Sequence, residues 1–298
     1  MKKSFITFIT ALSVPVLVLQ GALTSMLSEH EYKDAIIESA LSTQLPTTDS
    51  AISAEADNFD EQALQKVHEG HYEEAISITL AGLKKFPRDF TLQARLASLL
   101  GDCSEITPAP LKDRMVTRAK QLFDRLAQEV AEQPKATMYS FKNEYFFRFG
   151  MYREQYELGL SRVADYWGTD EWKRCKWGYY SQGVGASRYA KKLLEDGNAS
   201  LATEYAQKAL VSWAQYFTYS NDYYNAYVHY ALALGILGYT EEMMRALHQS
   251  ASLIKENLDY FEFKEVIDFI AGIKIYRPRT LKTTNPGYSH SQVYEREV

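Results

Sequence analysis

The hexapeptide Gly70-His71-Tyr72-Glu73-Glu74-Ala75 decides the fold, because variants of it return three times along the chain. They are Gly150-Met151-Tyr152-Arg153-Glu154-Gln155, Gly197-Asn198-Ala199-Ser200-Leu201-Ala202 and Gly238-Tyr239-Thr240-Glu241-Glu242-Met243. Each stands between two stretches whose apolar residues recur at three and four, the signature of a helix with one buried face. In 111–132, for example, Leu111, Met115, Ala119, Leu122, Leu126 and Val130 form one stripe, widened by Val116 and Phe123, and Pro134 follows as a stop signal. The same reading predicts helices over 58–69, 72–86, 90–100, 136–149, 152–165, 171–195, 199–217, 221–237, 240–256 and 258–273. With 15 Gly and 8 Pro in 298 residues, these residues make up about 8% against a usual value of about 12%. Few turn residues remain for a sandwich or barrel, so the expected fold class is all-α.

These residues resemble the tetratricopeptide repeat family, whose unit is 34 residues long. Gly70, Tyr72, Ala75, Leu83 and Pro87 stand where its turn, small residue, second-helix packing residue and closing proline belong, while Thr79 and Gly82 replace its aromatic and its alanine. Gly197, Ala202, Ala206, Ala209 and Leu210 fit the same frame, and Tyr227, Tyr230, Ala231 and Leu234 occupy its large-large-small-large positions. Gly70 and Gly150 are 80 residues apart, one hidden repeat with about 12 residues to spare, and the surplus is assigned to GDCSEITPAP, 101–110, between the helices expected at 90–100 and 111–132. The resemblance implies a right-handed superhelical array of antiparallel helix pairs, a TPR-like α-solenoid, over 57–273 with a C-terminal capping helix. Residues 29–56 are read as a linker, with a turn or two of helix before residue 42, and 274–298 as a tail. A concave groove for a protein or peptide partner is implied as well. The family frame lines it with Asp60, Leu64 and His68, then Ser140, Glu144 and Phe147, then Ser187, Lys191 and Leu194, and lastly Val228, Leu232 and Ile236. Asp60 and Leu64 stand where members that clamp a terminal carboxylate carry other residues. The apolar last wall favours an amphipathic helix or hydrophobic peptide.

The first 28 residues read as an address or an anchor. Met1-Lys2-Lys3 precedes an uncharged run that lasts until Glu29, the layout of a secretory signal. Residues 5–23 would reach about 28 Å as a helix, close to the roughly 30 Å of a bilayer core. A cleaved signal, an uncleaved anchor and an ordinary buried helix all stay open, with Pro15 against the last. Either of the first two places the rest outside the cytoplasm; the expectation is an exported chain, periplasmic or periplasm-facing in a bacterium, touching membrane only through 5–23.

The chemistry-bearing residues form no catalytic constellation. A net charge of −5 argues against nucleic acid as partner. His68-Glu69-Gly70-His71 is one residue short of a zinc-protease motif and is broken by its glycine. Gly183-Val184-Gly185 follows no strand and is no phosphate loop. Cys103 and Cys175, 72 residues apart, form no CxxC pair; whether they meet as a disulfide is left open. No cofactor or metal is expected, and the chain is read as a non-enzymatic scaffold or adaptor, with a place in the assembly of an envelope complex left open. The most unusual stretch, YWGTDEWKRCKWGYY at 166–180, interleaves Trp172 and Trp177 with Lys173, Arg174 and Lys176. Such a patch can stack on a glycan or grip an acidic peptide, and its cations are of the kind that lower the pKa of a neighbouring thiol such as Cys175. The favoured reading puts its aromatics in the core and its cations outward. The competing one is a carbohydrate-binding or carbohydrate-active surface.

Overall fold

The structure, a computed structural model, describes residues 33–49, 54–254 and 259–272. The leader (1–28), the tail (274–298) and the His68 side chain lie outside the described residues. Twelve helices and no strand occur among those described: α1 (33–42), α2 (Ala54–His68), α3 (Tyr72–Lys85), α4 (Phe90–Ile106), α5 (Leu111–Glu129), α6 (Lys135–Arg148), α7 (Tyr152–Tyr166), α8 (Cys175–Glu195), α9 (Ala199–Phe217), α10 (Tyr224–Leu237), α11 (Thr240–Leu253) and α12 (Asp259–Gly272). No described helix is long and apolar enough to cross a membrane.

The four glycine turns share one geometry. Gly70, Gly150, Gly197 and Gly238 all take φ between 66° and 81°, the left-handed region where an added Cβ is strained. The next residue then folds back: the N–H groups of His71, Met151, Asn198 and Tyr239 donate to the carbonyls of Lys66, Phe146, Leu193 and Leu234 at 2.8–2.9 Å. This is the six-to-one bond of a Schellman cap. The same four residues accept the first bond of the following helix, from Ala75, Gln155, Ala202 and Met243 at 2.9–3.0 Å. One short motif thus ends one helix and starts the next, which is why the sequence repeats it.

The chain divides into two compact units, α1–α5 and α6–α12. In the N-terminal unit α4 packs on both α3 and α5, burying Leu92, Leu96, Leu99 and Leu100 beside Ile76, Met115, Phe123 and Leu126. Asp89 caps α4 by accepting from Leu92 N–H at 2.9 Å. The surplus expected between helices at 101–110 is mostly helix, since α4 continues to Ile106 and buries Cys103; only Thr107–Pro110 connects it to α5. The linker reading also fails for 33–49. Ile36, Ile37 and Ala40 of α1 are buried. Residues 43–49 run extended, with Arg118 donating to the Thr43 carbonyl, Arg125 to that of Leu45 (2.6 Å) and Gln93 to that of Pro46 (3.1 Å). Thr48 gives both its N–H and its hydroxyl to Glu129 (2.8 and 2.6 Å). Sequence polarity suggested a tether because this segment is held through its backbone carbonyls, which leave no side-chain pattern.

In the C-terminal unit each helix from α6 to α10 packs on its successor, α10 also meets α8, and α12 lies on α10. The core holds Trp213 and Tyr216 of α9 with Val228, Leu232 and Leu234 of α10 and Val266 and Ile270 of α12. α7 and α8 approach through a glycine seam: a Cβ on Gly159 would sit 2.6 Å from the Gly178 carbonyl oxygen, and one on Gly185 would sit 2.5 Å from Tyr156 N. Gly183 faces the Trp213 ring. The Gly183-Val184-Gly185 stretch therefore serves close helix packing, inside α8.

Candidate functional site

The residues assigned to the groove scatter on inspection. Asp60, on α2, is half-buried and takes Arg95 bidentately at 2.7 and 3.0 Å, and Leu64 is half-buried. In the C-terminal unit, Ser187, Val228 and Leu232 are completely buried, so they line no groove. Ser187 accepts from the Trp213 indole at 3.2 Å. The apolar wall read on α10 is apolar because α10 is enclosed by α8, α9, α11 and α12; it shares its buried cluster with Val266 and Ile270 of α12. Lys191 pairs with Glu195 (3.1 Å) and with Glu265 of α12 (3.2 Å). Leu194 and Ile236 are half-buried, Glu144 pairs with Arg148, and Phe147 packs edge-on to His229. Ser140 alone of the C-terminal set is exposed.

The aromatic and basic stretch divides: Tyr166 is buried and Tyr179 and Tyr180 pack against the core, as favoured, but its tryptophans do not follow them. Trp167, Trp172 and Trp177 are 65%, 48% and 43% exposed, whereas Trp213 is fully buried. The tryptophans of 166–180 are surface residues, not core. They are set outward by a break between α7 and α8: Gly168 takes φ +76°, Thr169 turns back to accept and donate locally, and a single 3-10 turn, Trp172–Arg174, leads into α8. Lys176 lies 5.0 Å over the Trp177 ring.

Between α6, α7 and the start of α8 this arrangement leaves a cleft of about 530 Å³, lined by Ser140, Asn143, Arg162, Lys173, Arg174, Trp177, Tyr180 and Ser181. Arg162 forms its floor, 5% exposed, its guanidinium 5.6 Å over the Tyr139 ring. Its Nε has no hydrogen-bond partner among the described residues, and burial pushes its pKa down, with Arg174 adding to the effect. Asp165, one turn on along α7, is occupied by the Tyr139 hydroxyl (2.5 Å) and Lys135 (3.1 Å). These partners hold its carboxyl below the usual range. Arg174 gives Nε to Glu171 at 2.8 Å. Asn143 accepts from Gln155 at 3.0 Å through Oδ1, which leaves its amide N–H groups as donors. Ser181 donates to the Trp177 carbonyl (2.8 Å) and Tyr180 to Asn225 (2.7 Å). No carboxylate, histidine or cysteine is among the described residues that line the cleft.

Of the cleft residues, Lys173, Arg174 and Trp177 were named from sequence as a patch and Ser140 as groove; Arg162, Asn143, Tyr180 and Ser181 were missed. A signal for Arg162 was present. The buried residues of α7 are Gln155, Gly159, Arg162 and Tyr166, spaced 4, 3 and 4, and a cation on that stripe is out of place. Cys175 also differs from expectation. Burial raises its pKa, because its thiol is packed with Tyr139 and Tyr166 and directed at the Val163 carbonyl (3.8 Å). Cys103 is pushed up to about 11 by burial. Both thiols are free.

No protein-family model, no curated protein and no solved structure matches this chain.

Proposed function

We propose that the chain is an exported, non-enzymatic tetratricopeptide-like scaffold that holds a protein partner on the face formed by α6, α7 and the start of α8. The helix pairs in this reading are α2–α3, α4–α5, α6–α7, α8–α9 and α10–α11, continued as a right-handed superhelical array. The identical caps at Gly70, Gly150, Gly197 and Gly238 support it, as does the lateral packing of α8 on α10 and of α10 on α12. The observation that carries the binding assignment is the exposure of Trp167, Trp172 and Trp177 beside a basic cleft. Large exposed aromatics next to arginine are the residue types that dominate interfaces. Export rests on Lys2-Lys3 and the uncharged run that follows.

A photoreactive residue at Ser140 in cells should capture a discrete protein, while one at exposed Val211 of α9 should not. Equal capture at both would end the scaffold reading. Exposed tryptophans also favour a second reading, carbohydrate binding, in which an envelope-glycan screen gives saturable binding that Trp172→Ala abolishes and Ser140 captures no protein.

A further inference from the structure

Burying a guanidinium is costly unless its donors are met, and among the described residues Arg162 differs from the other buried or half-buried arginines that leave Nε unbonded. Arg188 is buried as deeply as Arg162, and its Nη1 reaches both oxygens of Glu265 at 2.8 Å. Arg118 and Arg125 leave Nε unbonded, yet their terminal nitrogens reach backbone carbonyls. Among the described residues Arg162 meets neither a carboxylate nor a carbonyl, and it lines a cleft. Two further cations, Lys173 and Arg174, line the same cleft with no acid among its lining residues, in a chain of net charge −5. Asn143 adds neutral donors, and Trp177 supplies an exposed flat wall.

We propose that this cleft binds a phosphomonoester, its oxygens held by Arg162, Lys173, Arg174 and Asn143 and its ester substituent lying on Trp177. A phosphomonoester carries about −1.5 to −2 charges and three acceptor oxygens, which matches Arg162 and Lys173, the two cleft cations that no carboxylate among the described residues answers, while Arg174 already pairs with Glu171 and adds donors only. A single carboxylate would leave one of those two uncompensated. Arginine and phosphate pair through parallel, charge-assisted bonds, and the low exposure of Arg162 strengthens them. The flat wall favours an ester over inorganic phosphate, because stacking adds to the charge pairing. The phosphate can be borne by a protein side chain or by a small molecule, and the cleft chemistry is shared by both. The proposal rests on the reading of this face as the binding surface.

The test is calorimetric titration of the full chain with phenyl phosphate, inorganic phosphate and benzoate, followed by a capped phosphoserine peptide and glucose 6-phosphate. Phenyl phosphate should bind about tenfold or more tighter than benzoate, and tighter than inorganic phosphate by an amount that Trp177→Ala removes. Arg162→Met should weaken phenyl phosphate about 30-fold or more with the helical circular dichroism unchanged. Lys173→Ala, at an exposed site, should weaken it about threefold to tenfold and serves if Arg162→Met fails to fold. The tighter of the peptide and the sugar phosphate identifies the source. Equal affinity for benzoate, or affinity untouched by both cation variants, overturns the assignment. Photocapture of a protein at Ser140 that phenyl phosphate does not compete would remove the phosphate and keep the scaffold; phosphate binding with no captured protein would do the reverse.

Discussion

α5 and α7 both carry arginines toward the interior of their units, and they treat them differently. On α5, Arg118 and Arg125 reach the carbonyls of Thr43 and Leu45, so the chain's own extended segment covers them. On α7, Arg162 is more deeply buried, yet no part of the described chain supplies an acceptor. The first arrangement is what a helix pair does with an extended strand of backbone when that strand is tethered in cis. The second leaves a demand that nothing among the described residues meets. α12 makes the same point within the C-terminal unit: Arg188 and Lys191 are directed to a face that α12 covers, and Glu265 answers both. A buried cation thus marks either an internal dock or an external one, and its hydrogen-bond partners tell which.

The largest expected effect breaks the comparison at α5. Arg125→Ala removes bonds to the carbonyls of Leu45 and Pro46 and to the buried Gln93, leaving acceptors unmet, and should cost the N-terminal unit about 2–4 kcal/mol in denaturant unfolding. Next comes the seam that places Arg162 beside α8. Gly159→Ala drives a Cβ to 2.6 Å from the Gly178 carbonyl, and should cost about 1–3 kcal/mol while weakening phenyl phosphate binding measured on the folded fraction. If it leaves both unchanged, the seam does not set the cleft.

A pH effect follows at α12. Burial alone would raise the Glu265 pKa, but Arg188 and Lys191 outweigh it and the folded value lies below the unfolded one. A carboxyl of that kind contributes stability that is present above its unfolded pKa of about 4.3 and lost as pH falls through the folded value. Amide exchange in α12 should therefore accelerate below about pH 4.3 relative to α9, and Glu265→Gln should flatten that dependence. The smallest expected effect is at a turn: Gly70→Ala, with no atom crowding the new Cβ but φ at +77°, should cost about 1 kcal/mol by thermal unfolding.

The glycine turns were legible because their function is local. A left-handed residue and two backbone bonds need only one glycine and its neighbours, so Gly70, Gly150, Gly197 and Gly238 announce themselves. The limits of α9 followed from the apolar period, while α4 runs six residues past the expected end. What failed was whatever depends on a distant segment. Val228 and Leu232 read as an apolar groove because periodicity cannot distinguish an exposed apolar face from one covered by a later helix. Residues 43–49 read as linker because backbone carbonyls are the same in every sequence. Trp172 and Trp177 read as core because the break at Gly168, which turns them outward, interrupts the helical frame used to place them. Arg162 was readable in principle, since a cation on the Gln155, Gly159 and Tyr166 stripe contradicts the burial that stripe predicts.

Arg125, met by the chain's own carbonyls, should hold the fold, and Arg162 should not. Hydrogen exchange of the full-length Arg125→Ala and Arg162→Met variants, read by mass spectrometry over α5 and over α7, tests it directly. The account expects α5 amides to lose protection by about 2–4 kcal/mol in the first variant. In the second, α7 amides should keep their protection or gain about 1–2 kcal/mol, since an unmet buried charge has been removed. Loss of protection in α7 comparable to that in α5 would show Arg162 to be a structural residue and would contradict the account.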